Sequence, residues 1–246
     1  MSPAFALREV GVRYPGAEAL RDVSLEFGAG EVIGLVGPSG SGKTTLLRLL
    51  NGSLRPSTGT VEAEGESIGD LTGRQLRDLR SRVGFVHQQY DLVPNLRVSQ
   101  NVLLGRLGKT GWIGGLRAMF WPERAAVEQV HEALKRVGIG DKIFQRTDTL
   151  SGGEQQRVAI ARALHQQPVA LLADEPVASV DPGRAREVVG LLVELAAERG
   201  VTLVISLHDL PLARTLPRLV GLRAGSVVFD RASAELDDDA FRDLYA

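Results

Sequence analysis

Eight residues, Gly37-Pro-Ser-Gly-Ser-Gly-Lys-Thr44, constrain this chain more than any other stretch. They fit the pattern of Gly, four residues, then Gly-Lys-Ser/Thr, a loop that wraps phosphate groups. Glycines let the backbone turn tightly and approach an anion closely. Successive N–H groups then converge on the phosphates where a helix begins, and the helix dipole adds to the attraction. Gly37, Pro38, Ser39, Gly40, Ser41 and Gly42 supply the cradle, and Thr45 follows in the helix. Lys43 reaches the β- and γ-phosphates, while the Thr44 hydroxyl ligates Mg²⁺.

The flanks agree with this reading. Glu31-Val-Ile-Gly-Leu-Val36 is a short apolar run suited to a buried strand, and Thr45-Leu-Leu-Arg-Leu-Leu50 reads as a helix closed by Asn51-Gly52. Strand, glycine loop and helix in that order predict a nucleoside triphosphate site.

Composition narrows the partners. The 246 residues carry 29 Lys and Arg against 30 Asp and Glu, a net charge of −1, so no global field favours nucleic acid and none is expected as a partner. Cysteine is absent, which excludes disulfides and thiolate metal sites. No segment approaches the roughly 20 apolar residues needed to span a bilayer. Met1-Ser-Pro-Ala-Phe-Ala-Leu-Arg8 lacks the basic start and apolar core of a secretory signal. Any membrane connection is therefore expected through a partner.

Along the chain, Phe5–Tyr14 and 19–27 alternate apolar and polar residues on either side of Pro15-Gly16, and Val32–Val36, 59–63 and Val83–Val86 read as further strands. From about 98 to 162 the pattern is helical, with Val127, Val130, Leu134 and Val137 on one face. Buried strands at 169–173 and 201–206 then alternate with a helix opening near Asp181-Pro182. This predicts an α/β fold with a mostly parallel sheet covered by helices, and a helical insertion within it. The stretch 105–122 is rich in glycine and basic residues and holds both tryptophans, Trp112 and Trp121. Two expectations stand open for it: a surface that docks a partner, or a loop tucked over the helical lobe.

Two further segments carry chemistry. Val169-Ala-Leu-Leu-Ala-Asp174-Glu175 is an apolar strand ending in carboxylates beside the phosphate loop. Asp174 can hold Mg²⁺ through a water; Glu175, one residue on, points differently and can orient and deprotonate an attacking water, a hydrolase arrangement. Leu150-Ser-Gly-Gly-Glu154, running into Gln155-Gln-Arg-Val-Ala-Ile-Ala-Arg162, opens a second helix. Ser151, Gly152 and Gly153 there expose N–H groups and a hydroxyl, a second phosphate-binding helix start. Two anion sites far apart in one chain suggest that they meet across a dimer.

At this segment the chain resembles the ATPases of ABC transporters. Leu150-Ser-Gly-Gly-Glu154 is similar to their signature, which contacts the γ-phosphate held by the partner subunit's P-loop; Glu154 stands where Gln is usual. The resemblance covers nearly the whole chain and implies one ABC ATPase domain over 1–246. Its fold would be a RecA-like P-loop NTPase core with an N-terminal antiparallel β subdomain and a helical, signature-bearing subdomain inserted at 88–160. It implies that Tyr14 stacks on adenine, that Gln88 senses Mg²⁺ and links the lobes, and that His208 contacts the γ-phosphate. Ser179-Val180-Asp181 resembles the loop that couples the two sites, with Val180 where Leu is usual. His87, His131 and His165 match no such position and are read as structural. The implied cofactors are ATP and Mg²⁺, with Lys43, His208 and Glu175 catalytic and Thr44, Gln88 and Asp174 holding the metal. Two copies would pair head to tail and trap two MgATP, and hydrolysis would release them.

The interval from Thr44 to Ser151 shows no heptads, unlike the coiled-coil ATPases of this superfamily, and one cassette is present where tandem translation factors have two. The chain thus resembles a transporter motor recruited by integral membrane permease subunits. Such a motor sits peripherally on the cytoplasmic face of the inner membrane, served indirectly by a periplasmic or surface substrate-binding protein. Asp174-Glu-Pro-Val-Ala-Ser-Val-Asp181, Asp148-Thr-Leu-Ser-Gly-Gly153, Ser206-Leu-His-Asp-Leu-Pro-Leu-Ala213 and Asn101-Val-Leu-Leu-Gly-Arg-Leu-Gly108 look most like phosphonate importer ATPases, with Val177 where most have Thr. The alternative is the motor of an exporter or lipoprotein-release system, which shares the style of 83–89. A nucleotide-gated binding module without turnover is a third reading, against which Glu175 argues.

Overall fold

Period-two burial sorts the strands of this chain onto two cores. The structure, a computed structural model, describes residues 3–178 and 181–245, apart from the side chains at 110–113, 116, 118 and 120. The expected coupling residues Ser179 and Val180, and the Trp112 side chain, lie outside the described residues.

Strands β1 (Phe5–Tyr14), β2 (Ala17–Phe27), β4 (Thr58–Ala63) and β5 (Glu66–Ser67) form an antiparallel sheet in the order β2-β1-β4-β5. A second sheet has the order β10-β9-β3-β8-β7-β6. Its members are β3 (Val32–Val36), β6 (Val83–Val86), β7 (Ala170–Ala173), β8 (Thr202–Ser206), β9 (Arg218–Arg223) and β10 (Ser226–Ala232). All its neighbours are parallel except β10, which runs antiparallel on the edge. An α/β core with a mostly parallel sheet is therefore observed, with the antiparallel sheet contributed mainly by the N-terminal third.

Parallel strands buried on both faces read as continuous apolar runs, and the run Ala170-Leu-Leu-Ala173 shows why. Ala170 and Leu172 join a core with Ile33, Leu35 and the strands of the first sheet, whereas Leu171 and Ala173 face the opposite core. Helix α1 (Lys43–Leu50) places Leu46, Leu47, Leu49 and Leu50, all fully buried, in the first of these cores. Each such burial is worth about 1.5–3 kcal/mol, which fixes the helix whose start carries the phosphate loop.

The opposite core is covered by helices. After α2 (Gly73–Arg82), the interval between β6 and β7 holds α3 (Val98–Leu103), α4 (Leu107–Phe120), α5 (Arg124–Arg136) and α6 (Gly152–His165). Helices α7 (Pro182–Arg199), α8 (Leu210–Ala213) and α9 (Asp238–Tyr245) complete the chain. Three expectations are corrected here. The stretch 105–122 is not a loop, because most of it is α4. Gly108 and Gly115 serve close packing there: a Cβ would meet Ser81 Cβ at 3.0 Å and Leu107 Cγ at 2.8 Å. Helix α6 runs past 160 to His165, and strand β7 starts at Ala170, leaving Val169 45% exposed.

Candidate nucleotide site

The phosphate loop leaves the end of β3 and enters α1 through Gly42, whose φ of 107° is open to glycine and costly for other residues. Gly37 is equally constrained: a Cβ would lie 2.0 Å from the Leu222 carbonyl oxygen. Around Gly40 nothing lies within 4 Å of a Cβ position, so the loop presents open space there. No side chain caps α1, and its first N–H groups are available to an anion. The Ser41 hydroxyl is buried without a hydrogen-bond partner among the described residues. These features fit a polyphosphate.

Lys43 is 4% exposed, and its ammonium donates to the carbonyl oxygens of Gly37 at 2.7 Å and Pro38 at 3.1 Å. Burial pulls its pKa below the usual lysine value, while the Glu175 and Asp174 carboxylates oppose that fall. The cation is thus desolvated, yet kept close to two acidic groups. Pro38 and Thr45 are partly buried, and Ser39 is exposed on the rim.

Asp174 and Glu175 follow β7 directly. The Thr44 hydroxyl donates to Asp174 Oδ1 at 3.1 Å, and the Ser206 hydroxyl donates to the same oxygen at 2.9 Å. Ser206 also accepts the Glu175 N–H at 2.8 Å. Glu175 sits at φ 47°, a left-handed conformation that costs a non-glycine residue on the order of 1–3 kcal/mol. The fully buried Ser206 hydroxyl pins that strained backbone. Glu175 Oε2 lies 2.5 Å from His208 Nε2. Ser206 was not singled out by sequence reasoning. Its signal is a polar residue closing an apolar strand, Thr202–Ser206, and it becomes meaningful only once β8 is known to lie beside β7.

A metal would find the Thr44 hydroxyl and Asp174 carboxylate converging here. Among the described residues no group of three or more His, Cys, Asp or Glu could hold one alone. The donor set therefore fits a cation shared with phosphate oxygens and water. Gln88 is exposed on the turn after β6, and its side chain makes no hydrogen bond among the described residues. That turn is nonetheless tied down: Arg162, on α6, donates to the carbonyl oxygens of Tyr90 and Asp91 at 2.8 and 2.6 Å. Tyr14 ends β1 with 40% exposure, open to a stacking partner.

The second helix start is built differently. Ser151 caps α6, accepting the Glu154 N–H at 3.4 Å, and Glu154 Oε2 accepts both the Ser151 N–H and hydroxyl at 2.9 Å. Gly152 is exposed and Gly153 partly so. Among the described residues, no hydrogen bond or ion pair joins Ser151, Gly152, Gly153 or Glu154 to the phosphate loop. The fully buried Gln156 does bridge α6 to the Pro176 carbonyl, one residue beyond Glu175. His165 is buried and neutral, its pKa pulled to about 4 by desolvation, which agrees with a structural role.

Residues 20–178 match the ABC transporter family. The chain is 51% identical over 244 residues to a phosphonates import ATP-binding protein of Anaeromyxobacter dehalogenans, covering 99% of this chain and 48% of that one. It is 46% identical to the protein of the same description from Thiobacillus denitrificans, covering 98% and 92%. The chain thus spans about half of the first relative and most of the second. The dimeric bacterial ABC transporter cassette MJ0796 shares the fold with a TM-score of 0.81 and 32% identity, over 93% of this chain and 98% of that one. A post-hydrolysis dimer of that cassette, bound to ADP and Pi, matches with a TM-score of 0.80 and 31% identity over the same shares. Sequence and fold together make this chain a member of the ABC transporter family, as one of its ATP-binding cassettes.

Proposed function

We propose that this cassette is the ATP-hydrolysing motor subunit of an ABC importer for phosphonates. The observation that carries hydrolysis is the Glu175–His208 contact at 2.5 Å, held beside Asp174 by the Ser206 hydroxyl. Lys43 and the uncapped N–H groups of α1 hold the β- and γ-phosphates and stabilise charge that develops in transfer. Thr44, Asp174 and Gln88 would hold Mg²⁺, which would supply positive charge to offset that of the phosphates. Glu175 accepts a proton from the attacking water, and His208 fixes the carboxylate's orientation while reaching the γ-phosphate. Tyr14 stacks on adenine.

Ser151, Gly152, Gly153 and Glu154 serve the nucleotide of a second copy, and the dimeric relatives of 31–32% identity support that pairing. Among the described residues no helix is long and apolar enough to cross a membrane. Integral permease subunits recruit the cassette to the cytoplasmic face of the inner membrane, and a periplasmic or surface substrate-binding protein delivers the cargo to them. Import rather than export, and phosphonates as cargo, rest on what the relatives are called.

The test is uptake. Cells lacking the chain should lose uptake of a phosphonate as sole phosphorus source, regain it with the wild-type chain and not with Glu175→Gln. Full uptake without the chain, or with Glu175→Gln, would overturn the proposal.

A further inference from the structure

The cap of α6 competes with the ligand that this helix start is meant to take. A hydroxyl has one proton to donate, and Ser151 gives its own to Glu154 Oε2 at 2.9 Å. A phosphate oxygen only accepts, so Ser151 can bind a partner's γ-phosphate only by withdrawing that proton from Glu154. The Ser151 N–H, then the Ser151 hydroxyl, hold the Glu154 carboxyl below its ordinary pKa, with Lys142 adding to the effect. A full negative charge therefore stands where the phosphate must arrive. With Gln at this position the cap could form without the charge, because an amide oxygen can accept the same N–H.

Among the described residues, one cation forms an ion pair with that carboxylate. Lys142 Nζ lies 3.6 Å from Glu154 Oε1 and 3.7 Å from Asp141 Oδ2, on the short helical turn Gly140–Lys142. It faces the carboxylate oxygen that does not take part in the cap. We propose that Lys142 is a positioning residue for the nucleotide-sandwich reaction: it holds the Glu154 carboxylate as Ser151 turns its hydroxyl to the partner's phosphate. The inference rests on the dimer reading above. It predicts a dependence peculiar to a chain with Glu at this place: Lys142 matters because residue 154 is charged.

The geometry limits the size of the effect. Lys142 and Glu154 side chains are 29% and 30% exposed, and exposed pairs alter an equilibrium by roughly 1.4- to 5-fold. A two-fold dimer contains the contact twice, so the dissociation constant should change by the square, roughly 2- to 25-fold.

The test measures that constant by sedimentation under saturating MgATP, with Glu175→Gln as the background to suppress turnover. Adding Lys142→Ala should weaken the dimer within this range. Adding Lys142→Ala and Glu154→Gln together should restore it to within about twofold of Glu175→Gln with Glu154→Gln alone. A structural role for Lys142 would not be rescued in this way, and Lys142→Arg should retain the dimer, which controls for folding. An unchanged dimer with Lys142→Ala, or a weakened one that Glu154→Gln leaves weak, overturns the inference while the dimer stands. If Glu175→Gln itself stays monomeric, the dimer reading falls and takes the inference with it.

Discussion

Helices α1 and α6 both begin at glycine-rich, phosphate-seeking segments, yet they begin in opposite ways. Helix α1 has no side-chain cap, and the Lys43 and Thr44 side chains at its start interact with Asp174 and Glu175 from a distant part of the chain. Helix α6 caps itself through residues three apart, and its start stays exposed. One start is assembled by the whole fold; the other is complete as local structure but lacks its counterpart. Under the proposed function, this chain builds half of each site and offers the other half outward.

If that contrast holds, damage to α1 should be catalytic and damage to α6 should be associative. Lys43→Ala should lower turnover by about 10²- to 10³-fold, the usual cost of removing one donor to developing charge. Steady-state ATPase measurement checks this, and a loss below tenfold would break the assignment. Ser206→Ala tests how firmly the fold sets Glu175. It leaves the Glu175 N–H without its acceptor and Asp174 Oδ1 with the Thr44 hydroxyl alone, which should destabilise by about 1–3 kcal/mol, read by urea unfolding, and slow turnover as Glu175 leaves its strained backbone. Ser151→Ala removes a helix cap, costing about 0.5–2 kcal/mol of stability, together with the hydroxyl offered to the second copy's nucleotide. It should leave ATP affinity of the single chain unchanged while weakening the ATP-bound dimer. Equal loss of both by nucleotide titration would erase the distinction between the two helix starts.

The same contrast explains what was legible from residues alone. The phosphate loop and the α6 start are local devices, and their residue types and spacing already state how each helix begins. Asp174 and Glu175 were readable because an apolar strand ending in carboxylates is also local. Ser206 was not, because its role depends on β8 lying between β3 and β7, with Val32 paired to Leu203 and Ala170 to Thr202. Helix α4 was hidden by its glycines, each costing about 1 kcal/mol in a helix. Packing against α2 overrides that preference, since Gly108 admits the close approach of Ser81. The positive φ of Glu175 had no signal either, for glycine would be the expected residue there.

The central claim is that a P-loop from one copy and a signature helix from another make one site. Light scattering of Glu175→Gln under saturating MgATP tests it most directly. Glu175→Gln should be a dimer with MgATP and a monomer with MgADP or when Lys43→Ala is added. A monomer under MgATP would contradict it.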